Sequence, residues 1–566
     1  MKNNLSKPVL SLQSKTFVVA VLIWFLLSAG AYANNISVTN VCLYNQNTSA
    51  GANNAANYTM VQFTISWENS WRNNISGTGY AIPYNWDAAW VFVKYRITVA
   101  NGGDGLWKHA WLNNTGHTAP NGSTIDIGLL TPGAAFNATT NPGLGAFIYR
   151  SADGVGPNTF TNAQLRWNYG ANSVADNALV DIQVFAIEMV YVPQGSFYVG
   201  DGTTNIVRGQ FQAGTSNTYF QVTSESTPSI LGGSADGNLR NNNTTGMTTA
   251  DDFSTAVTQP LLTAFPKGYI AFYCMKYEIS QQEYVDFLST LTRTQQTNKM
   301  VTTAEHNFMS NVATSATPQS RNGIKLMLDP GDPASRVYGN DLNNNGTAGE
   351  VDDGQNIACN FLSWANVAAY LDWSGLRPMT ELEFEKACRG TLTPVVDEYA
   401  WGNSTVYGTQ YTFSGSTAGT SSEVMSNPGS GSNGNANYTS TVPSTNGPLR
   451  VGSFATSGST KIISGSTYYG IMEMSGDLWE RIVTVGHATG RTFTGAHGNG
   501  VLTTDGNADA SNWPGTDATG TGVRGATCMS QTRGLRVSDR GYASYIRTSY
   551  TDGFQDWGGR GVRTAP

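Results

Sequence analysis

The segment Asp341-Leu342-Asn343-Asn344-Asn345-Gly346-Thr347-Ala348-Gly349-Glu350-Val351-Asp352 carries the sharpest chemical spacing in the chain. Side-chain oxygens at the first, third and fifth places, a glycine at the sixth and a carboxylate at the twelfth reproduce a calcium loop. A hard cation wants about six to eight oxygens, and the backbone must turn tightly beneath it. The expected ligands are Asp341, Asn343, Asn345, Thr347 and Asp352. Asp at the last place instead of the usual Glu shortens the bidentate reach. No helices flank the loop in the pattern, so a solvated Asn/Gly-rich loop is the alternative reading.

Other residue types capable of chemistry are scattered. His109, His117, His306, His487 and His497 form no HExxH pair, and no GxSxG, phosphate-binding or dinucleotide fingerprint occurs. Five cysteines, Cys42, Cys274, Cys359, Cys388 and Cys528, include no CxxC. The odd number leaves a thiol unpaired unless two chains share a bond, and stability must come from packing rather than a disulfide framework. Arg524, Arg533, Arg536, Arg540, Arg547, Arg560 and Arg563 crowd the C-terminus. They suit an anion- or peptide-binding face, or internal pairing with Glu381, Glu383, Glu385, Asp477, Glu480 and Asp539; the second is expected for most of them.

These residues must be positioned by a chain of 566 residues with only 13% charged residues, 63 glycines and a net charge of −7. The length suits two or three domains, and the balance argues against an electrostatic nucleic-acid binder. Lys2, Lys7 and Lys15, the apolar run 17–27 and Ala31-Tyr32-Ala33 read as a signal peptide over residues 1–33. No integral membrane segment is expected after its cleavage, and export to the periplasm or cell surface follows. Residues 34–188 alternate with period two: Val61, Phe63, Ile65 and Trp67 share one face, and Val91, Val93, Tyr95, Ile97 and Val99 another. An antiparallel β-sandwich is predicted, its Trp67, Trp71, Trp86, Trp90, Trp107, Trp111 and Trp167 serving core packing ahead of sugar stacking. Past residue 189, Ser280 with Glu283, Ser363, and Thr380 with Glu383 predict three helix starts, the last helix ending at Gly390. The polar stretches around 200–260 and 402–466 are predicted to be loops.

In that second part, Met189-Val190-Tyr191-Val192-Pro193-Gln194-Gly195, Tyr277-Glu278-Ile279-Ser280, Leu376-Arg377-Pro378-Met379-Thr380-Glu381, Tyr399-Ala400-Trp401-Gly402-Asn403, Gly476-Asp477-Leu478-Trp479-Glu480 and Arg524-Gly525 through Gly561-Val562-Arg563 occur in one order. Together they resemble the formylglycine-generating enzyme, or sulfatase-modifying factor, family over residues 189–566. The resemblance implies an α+β, C-type-lectin-like fold with little regular secondary structure. It also implies Ca2+ at Gly476, Leu478 and Glu480, with Asp477 where the family has Asn, and the start of a second site at Asn437 and Tyr438. The family oxidises a peptide cysteine with copper, using two cysteines five positions apart; here Cys528 stands alone, with Arg533 five residues on. The expectation is therefore an exported, non-catalytic relative that binds a protein, peptide or glycan through its C-terminal surface. A copper-dependent oxidase using Cys528, or a carbohydrate-binding surface protein using the sandwich aromatics, is the alternative.

Overall fold

The computed structural model describes residues 36–73, 84–202, 208–456, 458–546 and 555–566, and the expected signal peptide lies outside them. The alternating segments form eight strands: β1 (Ser37–Asn47), β2 (Tyr58–Asn73), β3 (Asn85–Arg96), β4 (Lys108–His109), β5 (Ser123–Leu129), β6 (Gly143–Arg150), β7 (Gly154–Trp167) and β8 (Asp181–Val192). β2 pairs with β1 and β7, while β3 pairs with β6 and β8. Among the described residues, β2 and β3 pair at Arg72–Trp86 and Asn73–Asn85. They therefore make two antiparallel layers joined at a corner. Val61, Phe63, Ile65 and Trp67 of β2 meet Val91, Val93 and Tyr95 of β3 in the core between the layers. The predicted run through Val99 is too long: β3 stops at Arg96, and Val99 opens a single 3-10 turn closed by Gly102, whose φ of 82° suits glycine.

β3 is buried on both faces. Its alternate residues Trp86, Ala88, Trp90 and Phe92 point away from the sandwich core into a second core with Phe287, Leu371 and Trp373. β8 explains how the two parts meet: Asp181–Val190 pairs with β3, and Met189–Val192 pairs with the strand Phe272–Met275. That strand in turn pairs with Val562–Thr564 near the C-terminus. One strand thus runs across residue 188, carrying the sandwich ladder into the second part. The expected tryptophan packing is present in Trp67, Trp90 and Trp167, all at most 1% exposed.

The second part has four helices of seven residues or more among the described residues: α1 (Gln281–Ser289), α2 (Arg293–Lys299), α3 (Trp364–Trp373) and α4 (Glu381–Arg389). Ser280, Ser363 and Thr380 cap α1, α3 and α4 as predicted, with full capping boxes at α1 and α4. α2 was not predicted, although Thr292 and Gln295 form a third capping box; its sequence RTQQTNK carries no apolar stripe. Within the stretch 200–260, predicted to be loop, the strands Phe211–Ala213, Ile230–Leu231, Leu239–Asn241 and Gln259–Pro260 form a small sheet.

The α1 box carries a pH dependence. Glu283 accepts from the Ser280 backbone N–H at 2.7 Å and from its hydroxyl at 3.0 Å, yet burial raises its pKa to about 7 against these bonds. A carboxyl raised in the folded state contributes most below its unfolded pKa and loses that contribution as pH climbs through about 7. Between about pH 5 and about pH 7.5 the unfolding free energy from urea titration should fall by roughly 1 kcal/mol more in the parent than in Glu283→Gln, taking about 1.4 kcal/mol per pKa unit and discounting for partial exposure. Parallel pH profiles for the two chains would refute this assignment.

The C-terminal arginines mostly pair inward, as expected. Arg540 donates to Asp251 at 2.7 and 3.0 Å and to Glu381 at 2.7 and 3.2 Å. Arg524 bridges Glu381 and Glu385, and Arg389 joins Glu385 to Glu398. Arg560 pairs with Glu480, and Arg536 with Asp397. Arg563 faces no carboxylate: its guanidinium lies 4.4 Å from the Trp90 ring and donates to the Leu129 carbonyl at 2.6 Å. Arg533 is exposed. Arg547 lies outside the described residues.

Candidate functional site

Where the C-terminal loops cross the strand Glu480–Val483, they leave a cavity of about 440 Å³. Trp479, Tyr542, Tyr545 and Trp557 form its aromatic wall, with successive ring centroids 5.2, 5.5 and 6.1 Å apart. Arg208, Arg533 and Asp556 supply charge at its edge. Arg208 is held in place, making a two-pronged bond to Asp539 at 2.9 and 2.8 Å while lying 5.5 Å from the Tyr542 ring. Aromatic faces with fixed guanidinium groups suit planar, polar or anionic ligand groups. Sequence reasoning named this C-terminal surface but missed Arg208, which arrives from the stretch read as loop.

Cys528 lies beneath this cavity, next in sequence to Met529 and Ser530 of the lining, and is 1% exposed. Its N–H donates to the Asp477 carbonyl at 2.8 Å. Burial, then the carboxylates of Asp477, Asp556 and Glu278, pushes the thiol well above its ordinary pKa. A reactive or metal-binding cysteine needs the opposite surroundings, since the thiolate is the working species. All five cysteines are unpaired with one another; Cys274, Cys359 and Cys388 are also buried, and Cys42 is exposed. The donor set around Cys528 does not fit copper, which favours soft thiolate ligands.

The residues of the two calcium sites implied by the resemblance converge on one place. The Asp477 N–H donates to the Asn437 carbonyl at 2.9 Å, the Asn437 amide donates to Asp477 Oδ1 at 2.7 Å, and the Leu478 N–H donates to Glu278 Oε1 at 3.0 Å. Gly476 turns with φ 97°, and a Cβ there would lie 2.6 Å from the Asn437 oxygen. Asn437 Oδ1, Asp477 Oδ2, Glu278 Oε2 and Glu480 Oε2 are buried with no hydrogen-bond partner. Such orphaned oxygens suit a hard cation, with Gly476, Leu478 and Asn437 shaping the turn that would hold it. Tyr438 does not contribute its carbonyl, which accepts from the Thr441 and Val442 N–H groups at 2.8 Å each. Glu480 already has Arg560 on its other oxygen. Burial raises Asp477 to about 6 and Glu473, with Asp477 adding repulsion, to about 8.

The loop after Asn340 folds as successive side-chain turns. Asp341, fully buried, accepts from Lys325 Nζ at 2.6 Å and from the Asn345 and Gly346 N–H groups at 3.0 and 3.1 Å. Asn343 and Asn345 accept from the N–H groups two residues on, and Asn343 also donates to Asp352 at 3.0 Å. The loop thus commits side-chain oxygens of Asp341, Asn343 and Asn345 to backbone N–H groups, and Asp341 to Lys325 as well. Glu350, Asp352 and Asp353 come together, and two of these three were not anticipated.

The second part is a loop-dominated α+β domain, stitched by buried arginine–carboxylate pairs and opening an aromatic cavity at its C-terminal face, which agrees with the C-type-lectin-like fold that the family resemblance implies. Residues 237–554, more than half the chain, match the family model for the sulfatase-modifying factor enzyme 1-like domain. The chain belongs to that family, and an N-terminal β-rich part precedes the domain. A search of curated proteins finds no match. Among the described residues, no helix is long and apolar enough to cross a membrane.

Proposed function

We propose that this chain is an exported member of the family that binds a protein, peptide or glycan ligand in the aromatic–arginine cavity and does not oxidise cysteine. The carrying observation is the pairing of an open cavity walled by Trp479, Tyr542, Tyr545 and Trp557 with a single, buried, acid-flanked Cys528 beneath it. The family's chemistry calls for two thiolates, and the five-residue spacing ends here in Arg533, whose side chain lines the cavity. Export is part of the proposal on the pattern of residues 1–33; the periplasm and the cell surface both suit a domain with so few charges.

The first test incubates the mature chain with copper, oxygen and a cysteine-containing sulfatase-type peptide, beside an active family member. Mass spectrometry should find the peptide cysteine unchanged. Conversion to an aldehyde, lost in Cys528→Ser, would establish the oxidase instead. The second test screens the mature chain on glycan and peptide arrays. Tyr545→Ala and Arg533→Ala should each weaken any array hit by about tenfold or more, as central aromatic and arginine contacts do, and the exposed Arg533→Ala should leave the unfolding free energy within about 0.5 kcal/mol of the parent. Hits unaffected by both substitutions would place binding elsewhere.

A further inference from the structure

At its far end, the loop that begins at Asp341 gathers three carboxylates. Ligand oxygens of Glu350, Asp352 and Asp353 lie within 4.8 Å of one another, and none of the three forms an ion pair with a lysine or arginine among the described residues. The nearby ammonium of Lys325 is committed to Asp341 and Asn344 at the opposite end. The bonds to the three acids come from neutral groups, the Asn343 amide on Asp352, the Asn345 amide on Glu350, and the Glu350 N–H on Asp353 Oδ2 at 2.7 Å, while the Asp341 carboxylate adds repulsion at Asp353.

A separate observation points to a ligand rather than to a solvated acidic tip. Asp353, one of the three, is 0% exposed, and its Oδ1 is buried with no hydrogen-bond partner. A buried, unpaired carboxylate oxygen is costly unless a cation or donor meets it. Oxygen-only donors around a small opening suit Ca2+, which accepts carboxylates, carbonyls and water in a flexible shell. Mg2+ would demand a stricter octahedron and more retained water.

We infer that Glu350, Asp352 and Asp353 bind a divalent, oxygen-preferring cation, Ca2+ in the first instance, and that this ion pins the loop between α1 and the 402–466 stretch. The ligand set is shifted from the one the loop spacing suggests, because Lys325 takes the place of the cation at Asp341. The pinning follows from the connections of the next residues. The Gly354 N–H donates to the Gly419 carbonyl at 2.9 Å, and the α1 residues Gln281 and Gln282 donate to the Ile357 and Gln355 carbonyls at 2.9 Å each. Gly419 packs so closely that a Cβ there would lie 2.8 Å from the Asp352 carbonyl.

The test titrates CaCl2 into the chelator-treated mature chain by calorimetry and follows thermal unfolding in parallel. The parent should bind Ca2+ with one more equivalent per chain than Asp353→Asn, or at least about tenfold more tightly at one site, and its unfolding midpoint should rise with Ca2+ further than the variant's. Comparing the two chains separates this site from the oxygens around Asp477 and Glu480, which the substitution leaves intact. Should Asp353→Asn fail to fold, Asp352→Asn is read in its place. A parent that binds no Ca2+, or variants that bind with the parent's stoichiometry and affinity, would overturn the inference.

Discussion

Arg540→Ala is expected to lower stability by about 3–5 kcal/mol, the cost of leaving buried charges without their partner. The guanidinium is fully buried, as are the carboxylates of Asp251 and Glu381 that it binds. It also donates to the Gly209 carbonyl at 2.9 Å and lies 4.0 Å from the Phe211 ring. Removing it takes a cationic partner from two buried acids and, among the described residues, leaves Asp251 in the 200–260 stretch with no ion pair. Glu381 keeps Arg524, 3.3 Å away, so the loss falls mainly on Asp251. Against a total stability of about 5–15 kcal/mol, the variant should be recovered in low yield with a much reduced denaturant midpoint. Arg540→Lys keeps a charge but loses the fork that reaches both acids, so it should fall between parent and alanine variant. An Arg540→Ala chain within about 1 kcal/mol of the parent would mean that the network does not hold the domain together.

The same network shows where sequence reading reaches its limit. That most C-terminal arginines turn inward could be expected from the acids available, but not which acid each would meet. Arg540 and Asp251 are 289 residues apart, and Asp251 sits in a stretch whose polar composition hides a four-stranded sheet. Helix starts were legible because a cap is a local event: Ser280 and Glu283 are three residues apart and satisfy each other's backbone. α2 shows the converse, since its capping box was present in the sequence without the apolar stripe that would have drawn attention to it. In the site, Tyr542, Tyr545 and Trp557 were within a surface named from composition, but Trp479 and Arg208 reached it through folding alone. The calcium spacing was legible, but the Lys325 ammonium on Asp341 was not, because Lys325 lies outside the loop.

Residues 34–188 produced alone should fail to fold into a soluble, cooperative domain, although their alternating pattern reads as a complete sandwich. The reason is the second face of β3. Trp86, Trp90 and Phe92, with Phe147 of β6, are at most 7% exposed and pack on residues from the rest of the chain. At roughly 150–250 Å² per aromatic side chain, cutting the chain uncovers a patch of order 600–1,000 Å², beyond what a soluble monomer ordinarily shows. Polar partners are lost at the same time. The Trp86 indole donates to the Tyr273 hydroxyl at 3.0 Å, the Trp90 indole to the Ser374 carbonyl at 2.8 Å, and the Asn85 amide to the Tyr469 carbonyl at 2.6 Å. Lys276, which neutralises Asp87 and Glu188 at 3.3 and 2.9 Å, is removed as well, leaving two carboxylates at a newly opened surface. β8, cut at residue 188, also loses Met189–Val192, which pair with Phe272–Met275. Expression of 34–188 should give inclusion bodies, or a dye-binding species without near-ultraviolet circular dichroism, while the full mature chain unfolds with β3 and α3 melting together. A soluble, monomeric 34–188 with a sharp thermal transition would show that the outer face of β3 tolerates water. The strand shared across residue 188 would then be a docking contact between two independent domains, not the spine of one folding unit.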